Sequence, residues 1–179
     1  MSGDSLPLAL PLSRFATDSS EATTLYRELR KPLLRYLAGL GLSTDQAQDV
    51  VQDAFLSLHK HLGADGSQEN IRGWLFRVAH NRARNCQRSY AQRFGEPLDP
   101  VFDPISSQAT PEQLVLEEER FRQLNKAVCS LAAQERECLM LRAEGLRYRE
   151  IAEVLWIPTS TVADTVDRAI KKLAEKCNV

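Results

Sequence analysis

The stretch Tyr148-Arg149-Glu150-Ile151-Ala152-Glu153-Val154-Leu155, Trp156-Ile157-Pro158, Thr159-Ser160-Thr161-Val162 reads as a helix, a tight turn and a second helix. Ile151, Ala152 and Leu155 fall on one face of the first helix, and Val162, Val166, Ala169, Ile170 and Leu173 continue at helical spacing along the second. Each helix therefore has one face to bury. The opposite side of the second, with Ser160, Thr161, Asp164, Thr165, Arg168 and Lys172, is left for a ligand or for water. A helix pair of this shape presents one helix to the major groove of DNA. Similar pairs serve as plain packing units, but here turn and two apolar stripes agree, which favours DNA binding.

Working outward, Gly145 is placed as a C-cap glycine ahead of this pair. A helix is expected from Gln134 to Ala143 and another from Thr110-Pro111-Glu112, with Thr as N-cap and Pro in the first turn, to about Leu131. Together they predict a small helical domain over 111–179. Pro97, Pro100 and Pro104, mixed with Ser106, Ser107 and acids, mark 96–110 as a flexible linker. Before it, a domain over 20–95 is expected to hold three helices. The first runs from about Ser20 to Leu40 with Leu25, Leu29, Leu33 or Leu34, and Leu37 inward, ended by Gly39 and Gly41, and with a kink or break expected at Pro32. Ser43-Thr44-Asp45-Gln46 reads as a capping box opening the second, through about Leu62, with Ala47, Val50, Val51, Ala54, Phe55 and Leu58 on one side. The third runs from near Asn70 to about Arg93, with Trp74, Leu75, Val78, Ala79 and Cys86 as its packed stripe. Strand signals are scarce. The fold class is all-α: two small helical domains joined by a flexible linker, the C-terminal one containing a helix-turn-helix.

With 43% hydrophobic and 26% charged residues, the chain is neither disordered throughout nor fibrous. Its formal net charge of −1 hides an uneven distribution. Between Ile71 and Phe94 the ionised groups are Arg72, Arg77, Arg82, Arg84, Arg88 and Arg93; between Glu96 and Glu119 all are acids. A near-neutral balance thus does not argue against nucleic acid. Cys86, Cys129, Cys138 and Cys177 have neither zinc-site spacing nor disulfide-scaffold density and are expected as free thiols in a reducing compartment. His59, His61 and His80 match no ligand pattern, so no metal and no cofactor is expected. The segment 1–19 is expected to be a flexible extension or a short docking arm. Its Leu-rich start lacks the basic residues and unbroken apolar run of a signal peptide, and nothing approaches a membrane span. No nucleophile-base pair or phosphate loop stands out, so an enzyme is not expected.

Two further faces invite a functional reading. Trp74-Leu75-Phe76-Arg77-Val78-Ala79-His80-Asn81, with Arg84 and Arg88, suits a nucleic-acid strand, because guanidinium groups neutralise phosphates while aromatic rings stack on unpaired bases. The plain alternative is a solvated basic face with Trp74 and Phe76 in the core. Gln48, Asp49, Gln52 and Asp53 form an acidic and amide face that is either solvated surface or a docking patch for a basic protein.

Taken in order, Asp49-Val50-Val51-Gln52-Asp53-Ala54-Phe55-Leu56-Ser57-Leu58, the basic helix, and Glu135-Arg136-Glu137-Cys138-Leu139-Met140-Leu141-Arg142 leading into the helix-turn-helix resemble the extracytoplasmic-function sigma factors of the sigma-70 superfamily, over about Leu25 to Cys177. The resemblance implies a cytoplasmic initiation subunit that binds core RNA polymerase and directs promoter recognition, DNA melting and transcription initiation. It implies that Asp49, Gln52, Asp53 and Phe55 meet the clamp helices of the polymerase largest subunit, with the polymerase flap region as a further contact. Trp74, Arg77, His80, Asn81, Arg84 and Arg88 would take the melted minus-ten element. Arg149, Thr159, Ser160, Thr161, Asp164, Thr165, Arg168, Lys171 and Lys172 would serve the minus-thirty-five duplex. The acidic linker would thread toward the active-site channel, an anti-sigma factor is a further expected partner, and the polymerase supplies all catalysis.

The chain departs from the family pattern where Asn85 stands for a common aspartate, Trp156 for the glycine that normally begins the turn, and Ala163-Asp164-Thr165 for a typical Lys-Ser-Arg. The acids predict a shifted promoter preference or a weak dependence on the upstream element. Two rival functions share the sequence features: a helix-turn-helix regulator that binds duplex DNA without acting as a sigma subunit, and a protein-interaction module that has lost DNA binding.

Overall fold

The computed structural model describes residues 13–64, 69–94, 119 and 122–177. Among them the regular elements are helices: α1 (Ser13–Gly39), α2 (Thr44–Gly63), α3 (Ile71–Phe94), α4 (122–129), α5 (Ala133–Ala143), α6 (Tyr148–Leu155) and α7 (Thr159–Cys177). The expected linker 96–110, the helix start at Thr110 and the first twelve residues lie outside the described set.

α1 starts at Ser13, earlier than Ser20, because no glycine or proline interrupts the chain between Ser13 and Lys31. Part of the expected extension is therefore helix. α1 also continues through Pro32. The proline withdraws one backbone donor, and Leu29, Leu33, Tyr36 and Leu37, all buried around it, hold the helical course. Leu25 and Leu34 pack at the edge of that core. The helix closes where Gly41, at φ 91, turns the chain and Leu42 donates back to the Leu37 carbonyl at 3.2 Å.

The capping box of α2 is formed: the Gln46 amide donates to Ser43 Oγ at 3.3 Å, and the Ser43 amide to Gln46 Oε1 at 3.0 Å. Asn70, at φ 54, plays the corresponding part for α3 by accepting the Gly73 amide on Oδ1 at 3.1 Å. A Cβ at position 73 would sit 2.5 Å from the Asn70 side chain, so the glycine is what lets that cap close.

α1, α2 and α3 pack on one another, as do α5, α6 and α7. The two groups then meet, α3 against α6 and α1 against α5, and one apolar core runs through both. That core joins Tyr36, Leu75, Phe76 and Ala79 to Cys138, Leu141, Ile151 and Val154. In α7, Val162, Val166 and Ala169 are buried as the stripe predicts, but Ile170 is 51% exposed. It falls just beyond the surface that α5 and α6 cover.

Candidate nucleic-acid interfaces

α3 presents its polar residues on more than one side, and the sides have different uses. Asn81 and Arg88 are exposed and Arg77 is half-buried. Arg88 donates to Asn85 Oδ1 at 2.6 Å, one turn back. Trp74 is half-buried and stacks on His61 with ring centroids 4.9 Å apart. Phe76 is fully buried, so of the two aromatics it takes the core role.

His80 does not belong to that surface. It is 6% exposed, and its Nδ1 lies 2.8 Å from the Tyr36 hydroxyl. Burial, with the nearby Arg84 charge in support, lowers its pKa to about 4, so the ring is neutral at pH 7. Three residues after Arg77 on a 3.6-residue period, position 80 turns toward α1.

Arg84 is spent between the two helical groups. Its Nη2 lies 2.5 Å from Glu137 Oε1, and Glu137 is 5% exposed. Burial raises the Glu137 carboxyl and the arginine opposes that rise. A second bridge joins the groups, with Arg35 donating through Nε and Nη2 to both Glu144 oxygens at 2.9 and 2.6 Å. That contact raises the Arg35 pKa further. Arg72 donates to the Glu144 carbonyl beside it. The sequence did not show these pairings, because residues 53 to 109 positions apart meet only through packing. The one available hint was Glu137 beside Cys138 and Leu141 in an apolar run.

On α2, Asp49, Gln52 and Asp53 are exposed and Phe55 is half-buried. Phe55 meets Tyr26 edge-on at 4.9 Å, and Tyr26, Phe55, Leu58, His59 and Leu62 line a shallow apolar groove of about 230 Å³. Asp53 is tied to Arg82 at 2.6 Å, and the same arginine reaches Ser57 Oγ at 3.2 Å. Arg82 thus fixes the acidic face of α2 to α3.

The helix-turn-helix forms with α6 as its first helix and α7 as its second. Glu150 accepts the Arg147 amide at 2.7 Å, which caps α6 without a Ser or Thr. Thr159 and Ser160 at the start of α7 are exposed, Thr161 is half-buried, and Asp164, Arg168, Lys171 and Arg149 are exposed. Thr165 is not: it is 1% exposed and accepts from Arg168 Nη2 at 3.3 Å. It sits three residues after Val162 and one before Val166, inside the buried stripe. Lys172 is drawn to Glu135 at 2.7 and 2.9 Å, which holds that carboxyl below its usual range.

Residues 25–93 match the family model for sigma-70 region 2, and residues 121–173 that for sigma-70 region 4. The RNA polymerase sigma-H factor of Pseudomonas aeruginosa is 30% identical over 138 residues, 69% of each chain. The RNA polymerase sigma factor YlaC of Bacillus subtilis is 29% identical over 147 residues, covering 81% of this chain and 85% of the relative. The sigma factor RpoE in its co-crystal with the anti-sigma factor NepR, from Bartonella quintana, superposes with a TM-score of 0.70 at 21% identity, over 91% of this chain and 98% of that one. CnrH in complex with the cytosolic domain of CnrY superposes at 0.60 and 22% identity, over 89% of both. The chain belongs to the sigma-70 family of RNA polymerase sigma factors, in its extracytoplasmic-function group. It directs promoter recognition and transcription initiation.

Proposed function

We propose that three separate surfaces divide this work. The α2 face of Asp49, Gln52 and Asp53, with Phe55 at its apolar edge, docks on the clamp helices of the polymerase largest subunit. The exposed side of α3, with Arg77, Asn81 and Arg88, takes the unwound minus-ten strand, Trp74 supplies an aromatic plane beside it, and Arg84 joins once Glu137 lets go. The start of α7, with Thr159, Ser160, Thr161, Asp164, Arg168 and Lys171, and Arg149 from α6, faces the minus-thirty-five duplex. His80, Thr165 and Lys172 serve the fold. The C-terminal body, over 111–179, contacts the polymerase flap, and the N-terminal one, over 20–95, does the melting.

The observation that carries this reading is the separation of chemistries: acidic side chains on the exposed face of α2, guanidinium and amide groups on that of α3. The first suits a basic protein partner and the second a phosphate backbone. Chemistry stays with the polymerase, so the chain itself is not an enzyme, and its place of work is the cytoplasm. None of the helices among the described residues is long and apolar enough to cross a membrane. An anti-sigma factor is a further partner, a reading supported by the likeness to RpoE, whose solved complex holds the anti-sigma factor NepR.

The test is a pair of variants assayed with core polymerase. Asp49→Lys with Gln52→Lys is expected to abolish holoenzyme assembly. Arg77→Ala with Arg88→Ala is expected to leave assembly intact and to lower open-complex formation, read by permanganate footprinting of unpaired thymines. Normal assembly of the first pair contradicts the docking assignment.

A further inference from the structure

Trp156 combines two costs for which the fold gives nothing back. It adopts a left-handed conformation, φ 57 and ψ 43, at the end of α6. A non-glycine residue there costs about 1–2 kcal/mol. Its side chain is also 76% exposed, so the largest apolar surface an amino acid carries is left in water. Glycine would close the same turn, since the cap needs only the backbone N–H that donates to the Ala152 carbonyl.

The surroundings point to a ligand. Trp156 lines one shallow hollow with Arg149, Glu153, Pro158 and Thr159, directly beside the start of α7. The charges that a duplex would meet there nearly cancel. Asp164 and Asp167 surround a hollow with Arg168 and Lys171, Lys172 is held by Glu135, and Arg149 lies 3.5 Å from Glu153. Coulomb attraction to phosphate is therefore weak on this face, and affinity has to come from contacts that do not depend on charge.

We propose that Trp156 is a DNA-contacting residue that supplies affinity for the upstream promoter element, its indole lying against deoxyribose and thymine methyl groups at the edge of the major groove. The proposal rests on α7 reading the minus-thirty-five duplex. Apolar groups do contact thymine methyls in the major groove, and such contacts carry no counterion release. Trp156 thereby takes over part of the attraction that basic residues of α7 would otherwise provide.

The test uses holoenzyme reconstituted from the full chain and core polymerase, on promoter DNA with an intact or a scrambled upstream element. Trp156→Gly is expected to weaken binding to the intact promoter about tenfold, with the dependence of log K on log salt unchanged. On scrambled DNA the two chains should converge. The thermal midpoint of the variant chain should not fall, since the left-handed strain is relieved, which excludes misfolding as the cause. Arg168→Ala with Lys171→Ala serves as the control and should weaken binding while making the salt slope shallower. If the control loses affinity and Trp156→Gly does not, the Trp156 proposal fails alone. If neither changes binding, the assignment of α7 fails. If Trp156→Gly weakens assembly with core polymerase in the absence of DNA, the indole contacts protein and the proposal is overturned.

Discussion

At the scale of single residues, His80 carries the sharpest energetic consequence. Its ring is buried against Tyr36 and titrates at about 4, whereas an unfolded chain titrates histidine near pH 6.5. Between those values the unfolded state binds the extra proton, so stability falls as the pH drops through that window and levels off below it. The full loss is about 3 kcal/mol. Glu137 works in the opposite sense, because its raised carboxyl makes protonation favour the folded state. A comparison of the wild-type chain with His80→Gln isolates the histidine. Urea titrations at pH 7 and pH 4.5 should show the wild type losing more stability than the variant, and parallel losses would contradict the assignment. Cys138 is similarly buried and its thiol is pushed up to about 11, so it should react slowly with maleimide in the folded chain, while the exposed Cys129 reacts fast.

At the scale of elements, the caps locate where each helix begins. Ser43→Ala removes the acceptor for the Gln46 amide and should cost about 1 kcal/mol, read as a shift in denaturation midpoint at unchanged m-value. That cap was legible in the sequence because all its partners lie within four residues. So were the Gly41 and Gly145 turns, both at positive φ, and the buried faces of α2 and most of α7; in α6 Ile151 and Ala152 are buried as expected, but Val154 is fully buried where Leu155 was expected and Leu155 is half-buried. Legibility stopped where two faces of one helix are both polar in sequence but only one meets solvent. In α3, His80 and Ala83 lie inward and Asn81 outward, and composition alone did not separate them. Thr165 was misplaced for the same reason, since a threonine within a buried stripe looks like a polar residue until its neighbours are known. The partners of Arg84, Lys172 and Asp53 were out of reach, because they come from other elements.

At the scale of the whole molecule, the two helical groups share a core and are stitched by Arg84–Glu137 and Arg35–Glu144. Both acids are nearly buried while the arginines are 43% and 45% exposed, so each bridge should be worth about 1–2 kcal/mol, less than a fully desolvated pair. Glu137→Lys with Glu144→Lys places like charges at both seams. The variant should open, with a larger radius of gyration in small-angle scattering, and adding Arg35→Glu with Arg84→Glu should restore the compact form. A Glu137→Lys with Glu144→Lys variant that scatters like the wild type would show that the seam is held by apolar contacts alone.

If Arg84 takes part in binding the unwound strand, as proposed, it must first leave Glu137, so packing between the groups and engagement of the promoter would compete for one side chain. The most direct measurement of the central claim is run-off transcription from core polymerase plus the purified chain on promoter DNA. The expected result is a promoter-dependent transcript that disappears with Asp49→Lys and Gln52→Lys together and weakens with Arg77→Ala and Arg88→Ala together. A chain that neither associates with core polymerase nor yields a transcript on any promoter would contradict it.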